Sequence, residues 1–425
     1  MALLQASVGA AAVMLEGVWN QPQLLVEKDS VLDGLISSSG KATKVSQHTY
    51  RVTFQDALPG VVSAVALDAT TNFPSPGSPD WQEGFMQPVS WAVPVGWTKL
   101  AQITTDSDMR AVANVVDVTM RNAVERLKKV RDESLCGGDG TGFWGDITAL
   151  TAGTPGTYTL DITNFGSRLV EKGQNLDIYN GLTYLGTSNC TAVNNQTAVV
   201  NVDATAPGAA VGNTVRFGGL VSGAPVFVYG LPYWNNNSPT GLTIGIDRTQ
   251  AANNYILSNG VNASTSSITP PLLRLGLDQV RHALGNDAIK AGRFKIHLAP
   301  GQQAQYEQSG LSLTNFWKND GHVGTGFDLL TTGDMSAAGN VFIENIHANL
   351  QRIDYIYTDR WGKIRWGDAP FWFNDQGRTI FQVIGTNGQI TAAASSFMID
   401  TVQYFVDNPK AQAYIFGLQS PVGYF

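Results

Sequence analysis

Charge is what this sequence has least of. Asp, Glu, Lys and Arg together make up 14% of the chain, against roughly 25% in an ordinary soluble domain. A freely soluble monomer keeps a charged coat, whereas the centres of subunit interfaces are depleted of charge, so the deficit points to a surface largely covered by neighbours. A secreted β protein rich in Asn, Gly and Thr also uses few charges, and composition alone does not separate the two. The charge that is present sums to −7. That argues against a dedicated nucleic-acid binder, because such proteins neutralise phosphates with basic patches. The two cysteines, Cys136 and Cys190, cannot make a disulfide framework. No apolar run reaches membrane-spanning length. A secretory signal would open with basic residues, but the first positive side chain is Lys28, and Glu16 interrupts the apolar run from Ala10 to Leu15. The expectation is a protein made and folded in a cytoplasm.

Catalytic constellations are also missing. The five histidines, His48, His282, His297, His322 and His347, are scattered, none at the spacing of a local zinc motif or paired with either cysteine. There is no Gly-x-Ser-x-Gly elbow and no phosphate loop ending in Gly-Lys-Ser/Thr. Gly138-Asp139-Gly140-Thr141-Gly142 has the glycine content of a phosphate cradle but the wrong context. A dinucleotide loop follows a strand and opens a helix, whereas this run follows a helix and opens irregular chain. It reads as a tight turn whose glycines supply positive φ. No catalytic residue, metal ligand or cofactor is assigned.

What the chain does have is apolar material, 43% of 425 residues, enough for two or three domains. Residues 1 to about 18 fit a short Ala-rich helix with Leu4, Val8, Ala11, Ala12 and Leu15 on one stripe, followed by an extended segment. A hairpin comes next: Ser30 to Ile36 and Val45 to Phe54 flank a polar tip at 37–44. Its second strand alternates, with Tyr50, Val52 and Phe54 on one face and Thr49, Arg51 and Thr53 on the other. An isolated hairpin is marginal in water, so the apolar face needs a surface, and a neighbouring subunit is a candidate. Residues 70 to 97, rich in Pro and Trp, read as loops and short strands. The clearest element is a helix from about Asp106 to Cys136, with Met109, Val112, Val116, Met120, Ala123, Leu127 and Val130 on one stripe. Thr105 with Asp108 has the form of a capping box, Lys128, Lys129 and Arg131 stand near the negative end of the dipole, and Gly137 supplies the stop. At 1.5 Å per residue the helix spans roughly 45 Å. Between 151 and 250 short strand candidates (158–162, 176–179, 199–202, 215–217, 226–229) predict a small antiparallel barrel or sandwich. Mixed α/β pattern returns at Ser267: a helix opened by Pro270 and Pro271 and ended by Gly285, a strand through Phe294, Ile296 and Leu298, and strands at 341–346, 353–357, 379–384 and 412–417 around an aromatic loop, Trp361 to Phe373.

This order of arm, polar-tipped hairpin, long helix and then Cys136-Gly137-Gly138-Asp139-Gly140-Thr141-Gly142 resembles the tailed-bacteriophage major capsid proteins of the Hong Kong 97-like fold. Asp278-Gln279-Val280 in a helix, followed by Phe294-Lys295-Ile296-His297-Leu298-Ala299-Pro300 and a further helix from about Gln302, is similar to that family's axial-domain helix, strand and strand–Pro–helix turn. The resemblance implies an α+β chain with an N-terminal arm (1–27), an extended hairpin loop (28–60), and a peripheral domain (61–150) carrying the spine helix at 106–136. It further implies an inserted all-β domain (151–266), an axial domain (267–400) and a C-terminal return strand (401–425). The implied function is that of a non-enzymatic shell protein, self-assembling through hexamers and pentamers into an icosahedral virion capsid in a host cytoplasm. Its partners would be further copies, a separate scaffolding protein, a portal, decoration proteins and, without sequence preference, packaged double-stranded DNA. Lys41, Lys44, Tyr50, Val52 and Phe54 would make the inter-subunit loop contacts. Some relatives cross-link a loop lysine to an asparagine of a neighbour, and Lys41 and Lys44 stand at the matching tip. Two alternatives remain open at this point, a bacterial nanocompartment shell of the same fold and a secreted carbohydrate-binding or adhesive β protein.

Overall fold

The computed structural model describes residues 31–36, 42–46, 49–55, 81–98, 109–218, 227–285, 294–314, 341–365, 370–375, 377–384 and 390–421. The expected N-terminal arm, Lys41 and the Thr105–Asp108 capping box lie outside them.

In chain order the elements are β1 (Thr43–Lys44), β2 (Tyr50–Gln55), β3 (Trp81–Met86), β4 (Val89–Thr98), α1 (Met109–Gly137), β5 (Phe143–Thr151), β6 (Gly156–Leu160), β7 (Asn175–Asn180), β8 (Thr183–Asn194), β9 (Val199–Val202) and β10 (Thr214–Phe217). Then follow β11 (Leu242–Thr243), β12 (Ile246–Asp247), β13 (Asn259–Asn262), α2 (Pro270–Leu284), β14 (Phe294–Leu298), α3 (Pro300–Thr314), β15 (Val341–Glu344), β16 (Arg352–Tyr357), β17 (Trp361–Arg365), β18 (Phe371–Trp372), β19 (Phe381–Ile384), β20 (Ile390–Val406) and β21 (Ala413–Phe416). The chain divides into two compact units, one of residues 1–37, 88–135 and 363–403, the other of 38–87, 136–362 and 404–425.

The first unit joins the long helix to a sheet in which β20 pairs with β4, β17, β18 and β19. The apolar stripe of α1 behaves as its spacing predicts where side chains are described: Ala123, Leu127 and Val130 are buried, and Val124 beside the stripe is buried too. Beyond Val130 the prediction of a single buried stripe fails, because Arg131, Asp132, Glu133 and Ser134 are buried as well. Arg131 does not lie out in solvent near the helix end. It is fully buried and donates through Nε and Nη2 to the Asp400 carboxylate on β20 and through Nη1 to Asp33. Residues 33–35, expected to be strand, form a 3₁₀ turn. A carboxylate seated between cations fixes that conformation, which outweighs the weak strand propensity of a sequence containing Asp33 and Gly34. The aromatic loop expected at 361–373 contains two strands, β17 and β18.

Among the described residues the second unit holds three larger substructures besides the two-stranded sheet β11-β12. One is a closed antiparallel barrel, order β10-β5-β6-β9-β8-β7, filled by Trp144, Ile147, Tyr158, Leu160, Leu176, Ile178, Val200, Val202 and Val215. Its first strand, β5, starts in the stretch assigned by sequence to the peripheral domain, and the described part of the strand expected at 226–229 forms a bridge between Tyr229 and Asp139. The second is a five-stranded sheet, order β13-β21-β16-β14-β15, covered by α2 through Leu273, Leu277 and Val280. Gly276 is required there, since a Cβ would lie 2.6 Å from the Tyr355 ring. The turn read from the glycine run is present: Asp139 Oδ1 accepts from Thr141 N at 2.8 Å, and Gly140 and Gly142 have φ of 86° and 76°. The third substructure is the ribbon β1-β2-β3.

Candidate assembly surface

The ribbon is where sequence placed the contact residues, and its register decides which of them are free. β1 pairs antiparallel with β2 (Lys44 opposite Tyr50), and the turn between them closes through Val45 N to Thr49 O at 2.9 Å. The turn therefore falls after Lys44, and the strand paired with β2 is Thr43–Lys44, within the stretch expected to be the polar tip, whereas residues 31–36 form no strand. β2 pairs with β3 over its whole length, Tyr50 opposite Met86, Val52 opposite Gly84 and Phe54 opposite Gln82. Because cross-strand partners share a face, these three pairs form one side of the ribbon. Arg51 with Phe85 and Thr53 with Glu83 form the other, along with Trp81.

The first face is sealed by the chain itself. Val52 and Phe54 are 1% and 3% exposed, and Tyr50 is half-buried. The covering segment is 242–256: Ile244 packs so close over Gly84 that a Cβ there would sit 2.0 Å from Cδ1, Phe85 N donates to Ile244 O at 3.1 Å, Gln82 Nε2 donates to Asn253 Oδ1 at 3.0 Å, and Phe54 lies 6.2 Å from the Tyr255 ring. Ile244 holds an uncommon positive φ of 43°, a conformation that costs a β-branched residue of order 1–3 kcal/mol. Ile244 N donates to the Tyr233 hydroxyl at 2.7 Å and so secures the turn. Burial raises the Tyr233 phenol well above its usual pKa, keeping it neutral. Arg248 braces the same turn through Tyr233 O at 3.0 Å and through Thr243 Oγ1. The side of the ribbon that sequence analysis offered to a neighbouring subunit is thus occupied internally, which removes Val52 and Phe54 from any free contact surface.

The opposite face is open. Trp81 is 54% and Phe85 50% exposed, and between them Arg51 Nη1 and Glu83 Oε1 pair at 3.0 Å in solvent. An exposed pair of that kind stabilises little and leaves the face electrically neutral. Lys44, opposite Tyr50 on the edge strand, and Val45 at the turn are exposed as well. Two large aromatics on one face of the ribbon, separated by a polar pair, have the composition of a protein-binding hot spot. The sequence reading assigned the Pro-rich stretch around them to loops and short strands and gave neither Trp81 nor Phe85 a contact role. The period-two spacing of Trp81, Glu83 and Phe85 was the available signal.

Elsewhere the fold gathers side chains that sequence spacing kept apart. Cys136 Sγ, at the end of α1, lies 3.7 Å from His297 Nε2 on β14 and accepts from Asn345 Nδ2 at 3.5 Å, so the cysteine is paired with a histidine after all. Among the described residues no group of three or more His, Cys, Asp or Glu side chains could hold a metal ion. Arg168 near Cys136 is lowered to about 10 by burial.

No family model matches the chain, and no curated protein matches it. Solved structures do. The chain is similar to the capsid asymmetric unit of Cyanophage A-1(L), with a TM-score of 0.54 at 11% identity over 92% of this chain and 93% of that one. Weaker likenesses are to Mycobacterium phage Bobi (TM-score 0.44, 8% identity, 92% and 90% covered) and to the SrpI encapsulin complex of Synechococcus elongatus (TM-score 0.40, 12% identity, 94% and 90% covered). The fold is the Hong Kong 97-like capsid fold.

Proposed function

We propose that this chain, given its fold, is the major capsid protein of a tailed bacteriophage, assembling through hexamers and pentamers into an icosahedral shell around double-stranded DNA. The observation that carries the reading is the fold match to a phage capsid chain along 92% of this chain and 93% of the other. The low charge content and the open aromatic face of the ribbon support it, because both suit a surface destined to be covered. In this reading the ribbon lies over an adjacent copy with Trp81 and Phe85 downward and Lys44 at its edge. The barrel from β5 to β10 is an insertion into the capsid fold, set outside the contacts that close the shell. A net charge of −7 suits a wall that holds DNA without adhering to it. A separate scaffold, a portal and decoration proteins complete the set of partners, the role is structural and not catalytic, and assembly takes place in a host cytoplasm.

A nanocompartment shell shares the fold. Expressing the chain, with a co-expressed scaffold if needed, and imaging it by electron microscopy tests the proposal: closed shells tens of nanometres wide support it, whereas a stable monomer that binds sugar would favour an adhesin. Shells that retain a cargo enzyme and package no DNA would favour the nanocompartment.

A further inference from the structure

The closed barrel has two unlike ends. At one, its chain ends meet, and the connecting stretch 161–174 carries Asp161, Arg168, Glu171 and Lys172. At the other, three turns converge. Thr214 lies opposite Tyr179 in the antiparallel β10–β7 pair. Val211, three residues before Thr214, and Leu182, three beyond Tyr179, are therefore carried to the same end. The β5–β6 turn joins them there: Thr151 pairs with Thr157, Gly156 pairs with Val202, and Thr205 N donates to Gly153 O at 3.1 Å. The stretches 151–157, 180–187 and 204–213 that build this end contain no Asp, Glu, Lys, Arg or His. What they present is apolar: Leu182 is 86% and Val211 64% exposed, with Tyr184 exposed two residues beyond Leu182. The turn itself does not call for a leucine. Gly181, at φ 59°, supplies the left-handed first position of the two-residue β7–β8 hairpin turn, and a polar residue would serve at the second. The turn is also braced. Arg216 Nη2 donates to Gly181 O at 3.1 Å, and the guanidinium stacks at 4.4 Å on the buried Tyr179 ring. A leucine held almost wholly in water on a braced turn has the character of an anchor whose ordering cost is already met.

We propose that this end of the barrel is a self-association surface, and that its occupant is the same end of a second copy, related by a twofold axis. The absence of charge selects that occupant. An isologous contact sets each patch against its own duplicate, so a charge near the axis meets its like, which is strongly unfavourable. A neutral apolar patch escapes that repulsion. The rest of the chain sums to −7, so copies repel one another except where charge is withheld. A partner of different sequence imposes no such condition and is ordinarily steered by complementary charge, which this patch lacks. The acidic groups at its border are drawn back onto the barrel. Asp146, opposite Thr214, is half-buried, and Asp203 Oδ1 accepts from Asn189 N at 2.8 Å and Ala204 N at 2.7 Å. The inference does not rest on the capsid reading, since a pair can form in a chain that builds no shell.

The test uses the full chain carrying Leu182→Cys, and separately Val211→Cys, under mild oxidation. Both native thiols are buried, so a disulfide reports on the introduced group. A twofold contact brings a residue near its own mate. Both variants are expected to give linked dimers and no higher species, about tenfold or more in excess of those from Asn201→Cys, which is exposed on the barrel's side. Leu182→Asp and Leu182→Lys change a side chain that stands in water and leave the fold intact. Each should weaken self-association of the unassembled chain about tenfold or more in sedimentation, and mixing the two should restore it. Linked dimers no more abundant than from Asn201→Cys would overturn the proposal. Association indifferent to Leu182→Asp, or a mixture that stays monomeric, would do the same. The readouts apply to free chain and to shells alike, so a failure to form shells, which would sink the capsid reading, leaves this result legible.

Discussion

Asp146 on β5 shows how a single carboxyl can work against the structure that contains it. Burial first, and the nearby charge of Asp161 second, push its pKa above the ordinary 3.8. A carboxyl whose folded pKa is raised costs stability when ionised. That cost is absent below the unfolded value and grows as pH rises through the folded one. Asp146→Asn is accordingly expected to raise the denaturant midpoint at pH 7 and to leave it unchanged at pH 3, and an equal shift at both pH values would remove the argument. Residue-level features of this kind were the least legible part of the sequence. Arg131 looked like a dipole-compensating residue at a helix end, and its partners Asp33 and Asp400 are 98 and 269 residues away. Cys136 and His297, 161 residues apart, were read as unrelated for the same reason. Local spacing carries no record of which distant side chain will supply a counter-charge.

At the scale of elements, strands whose alternation is strong were visible and strands whose contrast is weak were not. Tyr50, Val52 and Phe54 announced β2, and Phe294, Ile296 and Leu298 announced β14. β20, the longest strand among the described residues, begins Ile390-Thr391-Ala392-Ala393-Ala394-Ser395-Ser396, where small residues on both faces blur the period. β3 falls in a stretch read as loops and short strands, but its pairing with β2 was hidden, because the two are separated by a long stretch and pairing over such a distance is set by tertiary packing. The two faces of the ribbon give opposite expectations for mutation. Phe54→Ala should cost about 3–5 kcal/mol, as for other buried aromatics, measured by chemical denaturation of the unassembled chain. Trp81→Ser with Phe85→Ser should change that stability by no more than about 0.5 kcal/mol and yet abolish assembly, followed by sedimentation. Normal shells from the double variant would show that this face is not the contact.

For the whole molecule, the order of elements was enough to reach the fold, while substructure boundaries moved. The barrel begins at Phe143, earlier than the expected 151, because β5 pairs with β10 at its far end, Gly145 opposite Val215 and Phe143 opposite Arg216. That pairing also brings the barrel's two chain ends together, with Phe217 N donating to Gly142 O at 2.9 Å. A closed sheet with its own filled interior and adjacent termini is expected to fold alone. The fragment 141–218 should therefore show cooperative thermal unfolding and a near-ultraviolet circular dichroism signal, and a fragment without either would mean that the barrel depends on the rest of the chain. Both sulfhydryl groups are sealed inside, Cys136 beneath His297 and Cys190 within the barrel. Contacts between copies of this polypeptide would therefore draw on neither group for a disulfide, and an oxidant that does not open the chain would find no thiol at its surface.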